Sequence, residues 1–217
     1  MRYGTYYRFA IIKKLKLDNY INRSSKWLDL GCHDGTILRA MKAQHKIGID
    51  IETKKQQDFH IIKAVVEHLP FKEGSFNIIT AFDVLEHIEN DFQMINQVEN
   101  KLTKNGLFIF SVPHDKEKIF PKFLNRWLVF SKWKHLRMGY NQYILKNLFK
   151  RNWKLKIIHW NTDFSNLLYF PLQFIWRTLR KFAKGIINKV IEIEFIRTRK
   201  NRSDLGHLFV IANKQSK

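Results

Sequence analysis

The run Leu28-Asp29-Leu30-Gly31-Cys32-His33-Asp34-Gly35 restricts the possible architectures of this chain more than any other segment. Apolar residues from Lys26 to Leu30 stop at one glycine, and a second glycine follows. Thr36 to Ala43 then sets Ile37, Leu38 and Met41 at helical spacing. A glycine turn between strand and helix lets the backbone fold tightly and approach a ligand closely. The next apolar run, Lys46 to Asp50, ends in an acid. A carboxylate at that place can accept both hydroxyls of a ribose, in the crevice where open α/β sheets bind ligands. Further strands are predicted over His60–Val66, Ser75–Phe82 and Leu107–Val112. A helix is predicted over Glu89–Leu102 with Phe92, Ile95, Val98 and Leu102 on its buried face. Strands alternating with helices at this spacing imply a parallel sheet covered on both faces.

Two rival loops fail on composition. A dinucleotide fingerprint needs a third and a middle glycine where this chain has Thr36 and His33, and no Gly-Lys-Ser/Thr ends the loop as a P-loop requires. Beyond Pro113 the pattern loosens. A helix is predicted over Asn141–Lys150 and strands over Lys154–Trp160 and His207–Ala212. Stretches rich in aromatic and basic residues, 119–134 and 164–200, interrupt this half.

Several motifs in order now point to one family. Asp29 to Gly35 resembles the acid-x-Gly-x-Gly-x-Gly loop of class I S-adenosylmethionine-dependent methyltransferases. Ile47-Gly48-Ile49-Asp50-Ile51 resembles the strand carrying their ribose acid. Glu67-His68-Leu69-Pro70-Phe71, Ser75-Phe76-Asn77, Phe82-Asp83-Val84-Leu85-Glu86-His87 and Leu102 to Leu107 resemble the motifs that follow. The resemblance covers residues 26 to about 113 closely and the remainder loosely. It implies an α/β, Rossmann-like, seven-stranded, mostly parallel sheet with an antiparallel last strand and helical insertions in the second half. It also implies S-adenosylmethionine as methyl donor. Gly31, Cys32 and Gly35 would line its methionine part, and Asp29 would fix its ammonium through the loop. Asp50 would hold the ribose, Val66 and Ile51 would meet adenine, and Ala81 and Phe82 would lie near the sulfonium. Two departures stand out: His33 replaces the middle glycine and requires an ordinary backbone conformation there, and Val65 replaces an aspartate that often reaches adenine.

Methyl transfer needs alignment in a dry site, and a hydroxyl acceptor must also lose its proton. Asp83, Glu86 and His87 fall just after the fourth strand, and His114 and His135 are available from later in the chain. Asp83, Glu86, His87 and His135 suit a hard divalent metal such as Mg²⁺. This acid-x-x-Glu-His arrangement resembles ubiquinone-pathway O-methyltransferases and small-RNA 2′-O-methyltransferases. The other readings are His87 as general base, with Glu86 and His114 as partners, or Glu86 and His87 as a mere helix cap. His45, His60, His159 and His207 are expected to serve the surface or strand edges.

The 217 residues fit one domain, with insertions at 114–140 and 163–205, and a single cysteine excludes a disulfide framework. The net charge of +20 is unevenly placed. Residues 1–110 carry 16 Lys and Arg against 13 Asp and Glu, whereas residues 111–217 carry 23 against 6. Such a half attracts polyanions: anionic lipid, nucleic acid or phosphorylated substrates. Leu172, Ile175, Trp176, Leu179, Phe182, Ala183, Ile186, Ile187 and Val190 keep helical spacing opposite Arg and Lys, and Phe123, Leu124, Trp127, Leu128 and Phe130 are mixed with bases likewise. Both read as a lid over the acceptor or as a face lying on an anionic membrane. The longest uncharged run, Phe164–Trp176, is too short to span a bilayer. The expectation is a cytoplasmic protein, peripheral at the membrane. Its expected activity is O-methylation of a small or lipid-linked acceptor, with RNA 2′-O-methylation or a non-catalytic basic binding module as alternatives.

Overall fold

In the computed structural model, which describes residues 1–52, 59–200 and 206–215, one seven-stranded sheet organises the chain. Its strands are β1 (Lys26–Leu30), β2 (His45–Asp50), β3 (His60–Lys63), β4 (Phe76–Phe82), β5 (Leu102–Pro113), β6 (Trp153–Asn161) and β7 (Gly206–Lys214). Their order is β3-β2-β1-β4-β5-β7-β6. All pairings are parallel except those of β7, which runs antiparallel to both β5 and β6.

The helices are α1 (Tyr3–Lys14), α2 (Thr36–Ala40), α3 (Asp91–Lys101), α4 (Gln142–Leu148), α5 (Asp163–Leu167), α6 (Tyr169–Thr178) and α7 (Arg180–Arg199). Alternation along each strand sends successive side chains to opposite faces. Leu28, Leu30, Ile79, Phe108 and Phe110 meet Met94, Ile95 and Val98 of α3 and Leu145 of α4 on one face. Trp27, Ile78, Ile109, Phe209 and Ile211 pack on the other, with Ile11 and Ile12 of α1, Leu38 of α2, Trp176 of α6 and Ile187 of α7. The sheet is therefore sandwiched between two apolar layers.

Four local expectations need correction. In α3 the buried face is Met94, Ile95 and Val98, while Phe92 points outward and Leu102 already opens β5. Asn90 caps this helix by accepting from the Gln93 N–H, and that sets its phase. Residues 164–200 are broken at Leu168 and Leu179 into three helices, which leaves Leu179 and Phe182 exposed while Leu172, Trp176, Ala183, Ile187 and Val190 are buried. Residues 119–134 form no continuous helix: a 3-10 turn (Lys122–Leu124) leads to a π-helical segment (Trp127–Lys132). The N-terminal residues, for which no element was expected, form α1, and α1 packs on α7.

Candidate active site

The chain lays down β1, β2 and β3 outward in one direction and then returns to place β4 on the other side of β1. At such a reversal the connections diverge and leave a crevice beyond the carboxyl ends of the two strands. Gly31, following β1, and Asp83, following β4, flank it. Because β7 is antiparallel, its first residues reach the same edge: Pro113 pairs with His207.

The glycine turn is built from three left-handed residues, Gly31 (φ +67°), His33 (φ +51°) and Gly35 (φ +65°). His33 therefore does not keep an ordinary backbone, contrary to expectation. Histidine is among the side chains that visit this region more readily than most. The turn aims the His33 N–H at Asp50 Oδ2, 2.7 Å away, while Glu52 N–H donates to Oδ1 at 3.0 Å. Each Asp50 oxygen thus holds one backbone donor and keeps acceptor capacity for a ribose hydroxyl. A Cβ on Gly31 would come within 2.6 Å of Val84 Cγ2, so only glycine keeps the backbone open there. The same test at Gly35 meets the Phe59 ring at 2.2 Å. Gly35 is buried under that ring, so a side chain there would displace it. Cys32 is buried too, its Sγ filling the space where a Gly48 side chain would stand. Its N–H donates to Ile49 C=O, which fixes the turn against β2.

Asp29 lies beneath the turn. Trp27 Nε1 donates to Thr80 Oγ1 at 2.8 Å, and the Thr80 hydroxyl donates to Asp29 Oδ1 at 2.5 Å. The register Asp29↔Thr80 makes this chain of bonds possible. Burial pushes the Asp29 carboxyl up to about 7, against the pull of Thr80 and Arg8. Ala81 and Phe82 present backbone at the end of β4, with side chains turned into opposite layers. Val66 is buried, whereas Ile51 is 67% exposed beside Asp50.

On the other side of the crevice, the residues proposed for chemistry divide into two groups. Glu86, His87 and His135 converge, with one ligand atom from each lying within 4.8 Å of the others. The two imidazoles meet edge to face at 4.6 Å. His87 Nδ1 donates to Lys134 C=O (3.3 Å), which leaves Nε2 available. Neither Glu86 oxygen has a hydrogen-bond partner among the described residues, nor has His135 Nδ1. Burial pushes the Glu86 carboxyl up to about 7 and the His135 imidazole down to about 4, and it lowers His87 as well. Leu136 N–H donates to Glu86 C=O at 2.8 Å and ties the His135 segment to this turn.

Asp83 does not join them. Its carboxylate is occupied by the Ser111 hydroxyl (2.5 Å to Oδ1), His207 Nε2 (3.2 Å to Oδ1) and the Arg8 guanidinium on Oδ2. His207, expected at a strand edge, bridges from Asp83 to Glu117 Oε2, 3.1 Å from its Nδ1. Glu117 also accepts from Thr162 (2.9 Å) and Asn166 (3.0 Å). Burial alone would raise the Glu117 carboxyl, yet His207 and these two bonds hold it at about 2. His114 stands apart, beside Asp115 (2.9 Å) and with its ring 6.2 Å from that of His159; burial lowers it. Arg8 and His207 carry no sequence motif. The one available signal is topological, since an antiparallel last strand must begin where the parallel strands end.

A reversed α/β sheet whose crevice pairs a left-handed glycine turn with a ribose-height acid defines the Rossmann-like methyltransferase class. The sequence matches the family described as a methyltransferase domain over residues 3–155, and the chain belongs to that family. Two uncharacterized proteins of Methanocaldococcus jannaschii are 29% and 30% identical to it over 109 and 112 residues. Each alignment takes 48% of this chain and covers 48% and 41% of theirs, so the chain spans about half the length of the curated relatives it matches. An S-adenosylmethionine-dependent methyltransferase from Mesorhizobium loti superposes with a TM-score of 0.60 at 16% identity, covering 94% of this chain and 97% of that one. Phosphoethanolamine N-methyltransferase 2 of Haemonchus contortus, in complex with S-adenosyl-L-methionine, gives 0.61 at 14% identity, covering 95% of this chain and 52% of that one. At these identities the likeness is one of fold.

Proposed function

We propose that the protein methylates a hydroxyl oxygen of a small or lipid-linked acceptor seated against Glu86, His87 and His135. The observation that carries this reading is the buried Glu86 carboxyl, which has no hydrogen-bond partner among the described residues and converges with two imidazoles just beyond β4. Leaving a buried carboxyl unpaired costs a few kcal/mol, roughly 1–3 by hydrogen-bond bookkeeping, so a purely structural role is a poor account of it. In the transfer the acceptor's O–C bond forms as the sulfonium S–C bond breaks, the bonding pair returns to sulfur, and the hydroxyl proton leaves. Gly31 and Asp50 hold the donor in register, and the backbone at Ala81 and Phe82 borders the methyl. His87 Nε2 accepts the proton directly in one version, since burial keeps this ring neutral.

In the other version Glu86, His87 and His135 hold a divalent cation. One carboxylate and two imidazoles fit such an ion, and the set suits a transition metal such as Mn²⁺ better than Mg²⁺. A bound cation there would supply Lewis acidity to the acceptor oxygen.

Turnover of labelled S-adenosylmethionine with a lipid extract, a small-metabolite pool and total RNA, each with and without chelator, tests the reading. Labelled ether in the lipid or metabolite fraction, lost in Glu86→Gln and His135→Ala, is expected. Label confined to RNA, or to nitrogen, would overturn it. Activity that survives chelation assigns the proton to His87.

A further inference from the structure

We infer that the outer face of residues 119–134, together with that of α6, is a docking surface for an anionic lipid bilayer. The segment has two sides. Inward it is anchored by Asn125, Leu128 and Val129, all buried, and Asn125 accepts from the Ile119 N–H at 2.9 Å. Outward it carries Phe120, Phe123, Trp127 and Phe130, of which Phe123 is 82% exposed and Trp127 53%. Phe120 N–H donates to Asn166 C=O, and Lys132 Nζ lies 5.9 Å from both the Tyr169 and Phe170 rings. The segment and α6 are therefore side by side. The α6 face adds Phe174, 69% exposed, and Leu167 precedes it. Rings this exposed gain little from the protein's own core, and clustered exposed apolar side chains of this kind mark a binding site.

Charge names the partner. From Lys118 to Lys134 the chain holds Lys118, Lys122, Arg126, Lys132 and Lys134 and no acid. The α6 helix adds Arg177 and no acid, and Arg180, at the start of α7, lies over the Trp176 ring of α6. Apolar rings within a rim of cations match the depth profile of an anionic membrane surface, where hydrocarbon lies beneath phosphate. RNA is the weaker fit. The exposed set includes Leu167, which cannot stack on bases.

The surface also adjoins the site. His135 follows the exposed stretch directly, and Trp133 lies 5.6 Å from its ring and 5.5 Å from that of Tyr169. A bilayer seated on Phe123 and Trp127 would bring the acceptor side to the lipid. The docking claim does not depend on the acceptor assigned above, because vesicle binding needs no methyl donor.

The test is flotation of the full chain with vesicles of phosphatidylcholine alone or with one third phosphatidylglycerol. Binding to the anionic vesicles is expected to be about tenfold tighter. It should fall when salt rises from about 0.1 M to about 1 M, which shortens the screening length from about 10 Å to about 3 Å. Phe123→Ser with Trp127→Ser, and separately Lys122→Glu with Arg126→Glu, should each weaken it about tenfold or more while S-adenosylmethionine binding stays intact. Equal affinity for both vesicles, no binding at all, or undiminished binding by both double variants would overturn the inference. So would RNA binding without vesicle binding, or self-association abolished by Phe123→Ser, which would assign the surface to nucleic acid or to a second copy.

Discussion

His207 stands between two carboxylates, its Nε2 3.2 Å from Asp83 and its Nδ1 3.1 Å from Glu117. Each ring nitrogen faces one carboxylate, so one side chain links the end of β4 to the loop after β5. Replacing it removes one partner from each of two largely buried acids. His207→Asn is expected to cost about 3 kcal/mol at neutral pH, measured by denaturant unfolding. The Glu117 carboxyl is held below its ordinary 4.5, so its contribution is present above that value and is lost as the pH falls toward about 2. The deficit of the variant should therefore shrink on acidification. A variant as stable as the parent at pH 7 would show that the bridge contributes nothing.

Glu194 tests burial in the opposite direction. It lies on α7 under the helical layer, accepting from Ser165 N–H (2.8 Å), Trp160 Nε1 (3.2 Å) and the Tyr7 hydroxyl. Burial raises it from 4.5 to about 7 despite those donors. Its stabilising contribution is whole below its ordinary value and falls away as pH rises through about 7. Glu194→Gln, which stays neutral, should match the parent near pH 5. By pH 8 it should be more stable by on the order of 3 kcal/mol, seen as a higher Tm. Parallel pH curves for the two proteins would contradict this.

Asp50 is expected to carry much of the donor's affinity. Asp50→Ala removes the ribose acceptor and releases the His33 and Glu52 N–H groups that it holds. Loss of about 2–3 kcal/mol, or roughly a hundredfold in Kd for S-adenosylmethionine, should appear in calorimetry. Unchanged affinity would place the ribose elsewhere.

At His33 only the backbone is engaged with Asp50, and it is left-handed. His33→Gly should relieve that conformation, with a gain of up to about 1 kcal/mol after the added unfolded-state entropy is counted, and donor affinity should not change. A drop in donor affinity would show that the imidazole itself touches the ligand.

The central strands β1 and β4 could be read from short apolar runs, because both are buried on two faces and bounded locally. Helix α1 could not. Its buried positions, Tyr3, Ile11 and Ile12, include no regular apolar stripe, and the surface that orders it, α7, lies far away in sequence. The same distance hid Arg8 and His207, whose partners are contributed by β4 and the loop after β5. Phe92 and Met94 show a different failure: hydrophobicity suggested the phenylalanine for the core, while the Asn90 cap set a phase that buries the methionine. For the chemical groups, spacing placed Glu86 and His87 on one turn, but only the fold separates Asp83 from them.

Tyr7 and Arg8 are consecutive, and α-helical geometry points them about 100° apart. The first grips Ser165 and Glu194 in the helical layer, and the second grips Asp83 at the crevice. Two anchors on adjacent residues fix both the position and the rotation of α1, so a single short segment ties the helical layer to the crevice.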